Sequence, residues 1–201
     1  DDSSALEPGP EAETLAYESD NRISFRDGDF ITAWLPVSQV RPGKYAHTDY
    51  DFQKPSSDLM SKASLPIGHA QDGNENYHYP GNYIEHGRGD DLSALRLEEL
   101  QAPQRRITAA GTARPLWSGR SFTLSKFPRE EENDDYVVLR TDYELWDAQY
   151  RTGSGAGDVG YLIGLRLAPK SVAYRPPRIT PKPVMKGPQT AVVVGPGGEE
   201  I

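Results

Sequence analysis

Apolar positions in the first half of the chain come in short runs broken by turn signals. Arg26-Asp27-Gly28-Asp29 leads into a run over residues 30–37, and Arg41-Pro42-Gly43-Lys44 leads into a second over residues 45–52. The pattern predicts a β-rich stretch, with Pro42-Gly43 at the centre of a type II turn, where proline fixes one φ and glycine supplies a positive one. Residues 53–88 keep no sustained period and read as an extended loop with one or two short strands. The spacing then becomes helical. Leu92, Leu95 and Leu100 share one face, Leu97 widens it, Asp90 or Asp91 stands where a cap belongs, and Pro103 marks the end. From Ser121 the period is two. Phe122 and Leu124 lead to an acidic tip, after which Val137, Leu139, Thr141, Tyr143 and Leu145 alternate with Val138, Arg140, Asp142 and Glu144. A second alternating run, Tyr161, Ile163, Leu165 and Leu167, is expected to pair with the first across a Gly-rich connection. The expected fold class is mainly β with a minor helix (α+β): a barrel-like or strongly curved antiparallel sheet with the helix packed against it.

Composition sharpens this picture at both ends of the chain. Residues 1–20 hold seven acidic side chains and no basic one, so the first half of that stretch reads as a flexible acidic connection, with order starting near Tyr17. Residues 174–183, Tyr-Arg-Pro-Pro-Arg-Ile-Thr-Pro-Lys-Pro, are too rich in proline for a helix or a central strand and predict a semi-rigid polyproline-II spacer. A new strand is expected to begin at Gln189. With 201 residues the chain is long enough to bury a core without staples. A net charge of -8, from 22 basic and 30 acidic residues, argues against a partner whose phosphates must be neutralised, so no nucleic acid is expected. No apolar stretch reaches the length of a membrane span, and none is expected to insert stably. The absence of cysteine removes disulfides, thiolate metal sites and cysteine nucleophiles together. The start at Asp1-Asp2-Ser3-Ser4, without Met, reads as a cut inside a longer chain.

Each cluster that could carry chemistry has a simpler reading. Residues 153–160, Gly-Ser-Gly-Ala-Gly-Asp-Val-Gly, offer a glycine-rich loop, but a phosphate loop needs a helix N-terminus after it and here another alternating strand follows. A flexible hairpin connection is expected. His69, His78 and His86, near Asp72, Glu75 and Glu85, carry zinc-type ligand atoms at spacings of nine and eight, which fit neither a helical pair nor a compact knuckle. They read as loop histidines. Glu130, Glu131, Glu132, Asp134 and Asp135 lack the alternating oxygens and central glycine of a calcium loop and read as a solvated hairpin tip. A carboxylate pair for glycoside hydrolysis is not singled out, and no Ser sits in a Gly-x-Ser-x-Gly elbow. Arg88-Gly89-Asp90 matches an adhesive tripeptide, although Asp90 is better used at the start of the helix. No catalytic, cofactor-binding or metal-binding residue and no cofactor is therefore expected.

The run from Tyr174 through Pro183 to Gly187-Pro188-Gln189-Thr190-Ala191-Val192-Val193-Val194-Gly195-Pro196 and Glu199-Glu200-Ile201 resembles the junction in VgrG proteins, the valine-glycine-repeat spikes of bacterial type VI secretion. Asp49-Tyr50-Asp51-Phe52 with Pro55, Tyr77-His78-Tyr79-Pro80-Gly81 with Tyr83, and Arg96-Leu97-Glu98-Glu99-Leu100-Gln101 stand in the order seen in that family. The resemblance runs from about Val37 to Ile201. Two stretches depart from it: Asp142-Tyr143-Glu144 stands where relatives often have an apolar-flanked His, and residues 153–160 are unusually Gly-rich.

The resemblance implies a trimeric hub similar to the baseplate hub of contractile phage tails. Four segments follow: an acidic flexible segment over 1–16, the second half of the tube-forming region over 17–172, a Pro-rich linker over 173–188, and over 189–201 the first strand of an oligonucleotide/oligosaccharide-binding-type (OB-type) barrel. The implied function is structural, without chemistry. The implied partners are two further copies in the full-length protein, the inner-tube protein, and a tip protein and effectors carried by a C-terminal needle. Assembly would take place in the bacterial cytoplasm, followed by injection. A cell-wall hydrolase of a phage-like tail and a carbohydrate-binding β module are the rival readings.

Overall fold

The computed structural model describes residues 6–8, 12–19, 28–146 and 160–190. Six strands close a barrel: β1 (Thr14–Tyr17), β2 (Phe30–Ser38), β6 (Arg105–Gly111), β9 (Gly160–Pro169), β8 (Asp135–Trp146) and β7 (Ser121–Ser125), in that order around the ring. Inserted between β2 and β6 is a second unit, a three-stranded sheet of β3 (Lys44–His47) between β4 (Ser61–Ser64) and β5 (Glu75–His78), followed by α1 (His86–Gln101).

The barrel core is built as period-two strands require, one face inward. Ile163, Leu165 and Leu167 of β9 lie buried between Ile107 and Ala109 of β6 and Tyr136 and Val138 of β8, with Phe122, Leu124 and Leu15 closing the ring. Register matches large to small: Ala109 stands between Trp34 on one side and Leu165 on the other. The pairing of β8 with β9 is as expected, with Tyr161 opposite Leu145 and Leu167 opposite Val138.

The alternation read across β8 changes phase midway. A bulge at Leu139 separates the pairs Val138–Leu167 and Arg140–Arg166, so Tyr136 and Val138 point inward before it while Thr141 and Tyr143 reach the Leu116 carbonyl after it, at 3.1 and 2.7 Å. A similar irregularity between Ile31 and Ala33 puts Ile31 and Trp34 in the core and turns Ala33, Leu35 and Val37 outward. The Tyr143 hydroxyl bond and the bidentate Arg140–Asp142 pair also give a physical role to the stretch Asp142-Tyr143-Glu144.

Four expectations need correction. The acidic N-terminal stretch is part of the barrel well before Tyr17. Ala12 and Leu15 are core residues, and β1 pairs parallel with both β2 and β7, so the barrel is antiparallel everywhere except at this strand. Backbone pairing to two neighbours holds β1 between the acidic Glu13 and Glu18.

The helix does not pack on the barrel sheet. It lies on β3 and β4 of the inserted unit and starts at His86, with Glu85 as the capping residue rather than Asp90 or Asp91. Its buried stripe is Gly89, Ser93, Leu97 and Gln101, not the leucine face. Close approach explains this stripe: a Cβ at position 89 would meet the Tyr83 ring and Ser61 Oγ.

Gly43 serves close approach as well, and not a type II turn. Its φ is not positive, and a Cβ there would run into the Asp72 backbone. The strand expected from Gln189 falls mainly on residues 191–201, and the Gly-rich connection mainly on 147–159, both outside the described residues.

Candidate assembly surfaces

The acidic tip is not uniformly solvated. Glu130–Glu132 form one turn of 3-10 helix that folds Glu132 back over the end of the barrel, leaving it 2% exposed. Its carboxylate accepts a hydrogen bond from Trp34 Nε1 (3.2 Å) and pairs with Arg105 (2.9 Å) and Arg129 (3.3 Å). The Tyr136 hydroxyl donates to the Glu132 carbonyl (2.9 Å), and its ring meets Trp34 edge-on at 4.7 Å. Burial alone would raise the Glu132 carboxyl, but the Trp34 hydrogen bond and the two guanidiniums outweigh it and hold the group below its ordinary value. The flanking Arg129 and Tyr136 are the only signals in the sequence that set Glu132 apart from its acidic neighbours.

Burial, helped by the Glu132 charge, pushes the Tyr136 phenol up to about 12. The folded state therefore favours the neutral phenol, and the unfolded chain loses its proton first as pH rises. Stability from this group is complete below the ordinary tyrosine value of about 10 and is lost progressively up to about 12. Denaturant midpoints at pH 9 and 11.5 should differ, and Tyr136→Phe should narrow the difference.

A second feature is the Pro-rich segment, which begins as a strap. The Tyr174 ring lies under Arg106 at 5.9 Å, Arg175 Nε reaches Glu98 at 2.6 Å, and the Arg178 amide donates to Glu99 at 2.9 Å. Beneath it lies a cleft of about 330 Å³ with Pro103, Leu139, Tyr174 and Pro177 on its walls. The bulge at Leu139 turns that side chain toward the strap. From Pro176 to Thr190 every residue is exposed, so the strap is fixed at its start and extended afterwards. Glu99→Ala should accelerate hydrogen exchange at the Arg178 amide by about tenfold, the worth of roughly one such bond.

The third feature is the outer face of β2, β6, β9 and β8. Strand register sets Ala33, Ala110, Gly164 and Asp142 in one row and Leu35, Thr108, Arg166 and Arg140 in the next, with Leu162 opposite Glu144. Leu35 is 62% exposed, and Val37 and Leu162 are also exposed. The small residues Ala33, Ala110 and Gly164 let another β surface approach closely, while exposed Leu35, Val37 and Leu162 stand among Arg140, Asp142, Glu144 and Arg166.

The histidine and carboxylate candidates are spread apart. Asp72 is drawn below its ordinary value, first by the Ile67 amide and then by those of Gly68 and His69, and His69 Nε2 lies 3.4 Å from the same carboxylate. His86 pairs with Asp90 at 3.6 Å, while Glu75 and His78 lie exposed on β5. No group of three metal-type ligands occurs among the described residues. Arg88-Gly89-Asp90 lies inside α1 with Gly89 buried, so it is not displayed on a loop. No described helix is long and apolar enough to cross a membrane.

These features agree with the relatives the chain has. Residues 1–149 match the phage tail baseplate hub (GPD) family. The type VI secretion system spike proteins VgrG1b and VgrG1c of Pseudomonas aeruginosa are 39% and 36% identical to the chain, over 88% and 89% of its length. The chain spans only about a quarter of each, 24% and 25%. Among solved structures, the 43 kDa tail protein of prophage MuSo2 from Shewanella oneidensis superposes with a TM-score of 0.55 at 8% identity, over 81% of this chain and 45% of that one. A tail protein from Neisseria meningitidis MC58 gives 0.52 at 12% identity, over the same shares. At such low identity these two bear on the fold alone, and the fold they share is that of phage tail proteins. The chain therefore belongs to the phage tail baseplate hub family, and its similarity to VgrG spike proteins covers nearly nine-tenths of its length.

Proposed function

We propose that this chain is a structural part of a type VI secretion spike, the portion of a trimeric hub that seats on the inner tube and hands the axis on to the next barrel. The observation that carries this reading is a closed barrel whose outer face sets exposed Leu35, Val37 and Leu162 beside small and charged residues, in a chain whose relatives are named as spike proteins. Cyclic packing of three copies would place that face against a neighbour through a heterologous interface. The stretch from Ala12 to residue 172 supplies the tube-forming part and residues 173–188 the link. A link anchored by Arg175 and Arg178 holds the barrel axis at little further cost in ordering entropy. The tip protein and effectors ride on a C-terminal needle outside this chain, and the particle passes from the cytoplasm into the target.

No residue here is assigned a catalytic role. A peptidoglycan turnover assay on this chain should give no product. Turnover that disappears on replacing a single carboxylate would overturn the structural reading in favour of the hydrolase.

A further inference from the structure

We propose that the cleft between β5, α1 and the strap binds an oxyanion, a carboxylate or a phosphate, through Arg96, Arg178, Asn76, His78 and the Tyr45 hydroxyl. The cleft measures about 210 Å³ and is walled by these five residues with Glu99 and Leu100. With a water's share of liquid volume near 30 Å³, it holds a phosphate-sized group and several waters.

Charge points to the sign of the ligand. Arg96 and Arg178 both reach the same oxygen of Glu99, at 2.8 and 3.3 Å, so two guanidiniums share one carboxylate and one positive charge is left over. The nearest further pair, Arg175 with Glu98, balances itself. Such a surplus stands out in a chain of net charge -8. Alternation along β5 puts Asn76 and His78 on the cleft side and Glu75 on the other, so the strand brings donors to the cleft without its own carboxylate.

Tyr45 is the second, independent observation. Its ring is packed on the central strand, leaving the residue 4% exposed, its side chain lines the cleft, and its hydroxyl opens to solvent there. An anion in the cleft would accept from this hydroxyl in place of water. Burial raises its pKa while the Arg178 and Arg96 charges pull it down, as expected for a hydroxyl facing both guanidiniums. Guanidinium forks suit carboxylate and phosphate alike, so the chemistry is shared between a free phosphate and a carboxylate borne by a partner protein. Because Arg178 sits on the strap and Arg96 on the helix, an anion between them would fasten the link to the inserted unit.

The test is an NMR titration of the full chain at constant ionic strength, following the Asn76 side-chain amide and the His78 ring, with inorganic phosphate in one arm and acetate in the other. A saturable, one-site shift is expected, weakened at least tenfold by Arg96→Gln and by Arg178→Gln and left within twofold by Lys54→Gln, an exposed residue outside the cleft. Arg178→Gln alters neither hydrophobic core, so loss of binding in it is not loss of fold. Saturation by acetate alone assigns a protein carboxylate, and saturation by phosphate assigns a free or esterified phosphate. No saturable shift in either arm, or a shift that survives both substitutions, overturns the proposal.

Discussion

Glu132→Ala is expected to destabilise the barrel by about 3 kcal/mol, the range measured when one partner of a buried pair is removed. The substitution deprives the Trp34 indole N–H of its acceptor and leaves Arg105 and Arg129 facing each other without the intervening charge. Glu132→Gln keeps an acceptor for Trp34 and should cost about half as much. Glu130→Ala and Glu131→Ala, in the same acidic run but exposed, should fall within about 0.5 kcal/mol of the parent. The acid limb carries a second signature. The Glu132 carboxyl is depressed in the folded state, so its stabilisation is present above the ordinary glutamate value and is lost as pH falls through the folded one. Denaturant melts across that window should show a shallower acid loss in Glu132→Gln than in the parent. Equal effects at positions 130, 131 and 132 would mean that the tip is simply solvated charge.

The second large effect belongs to the helix. Gly89→Leu should destabilise the inserted unit by about 2–3 kcal/mol, the usual cost of forcing atoms into a packed contact. The added side chain meets Tyr83, whose hydroxyl lies within reach of the His47 carbonyl at 3.1 Å and of the Leu59 carbonyl, and it disturbs the His47 Nε2 contact to the Gly89 carbonyl at 2.8 Å. Leu95→Ala is the companion measurement. Leucine spacing places it on the packed face, but it is 38% exposed and should cost less than 1 kcal/mol. Thermal melts of the two variants discriminate the two faces directly. A larger loss from Leu95→Ala than from Gly89→Leu would restore the leucine face.

That contrast shows what a single sequence carries. Long alternation marked β9 and its partner β8, because Ile163, Leu165 and Leu167 all point one way over an uninterrupted stretch. Bulges were not legible, since one extra residue at Leu139 or near Thr32 reverses the facing of everything after it and leaves no mark in composition. The helix was found but rotated, because its contact stripe is made of Gly, Ser, Leu and Gln. Gln101 Nε2 donates to the Pro42 and Leu65 carbonyls, at 3.1 and 2.7 Å, doing with hydrogen bonds what hydropathy patterning looks for in leucines. β1 was hidden by its acidic surroundings and Glu132 by its acidic neighbours.

The assembly surfaces divide in the same way. Proline content marked an extended segment, but its attachment through Arg175 and Arg178 depends on where Glu98 and Glu99 sit in three dimensions. The outer barrel face depends on strand register, which spacing alone did not supply.

The central claim is that this barrel is one third of a hub ring, closed through the face that carries Leu35 and Leu162. Multi-angle light scattering on the full-length protein, with and without Leu35→Asp and Leu162→Asp together, tests it most directly. Both leucines are exposed in the single chain, so the double variant should fold with unchanged circular dichroism. A mass of three copies for the parent and a shift toward single copies for the double variant is the predicted result. A monomeric parent, or a trimer indifferent to both substitutions, would contradict the account.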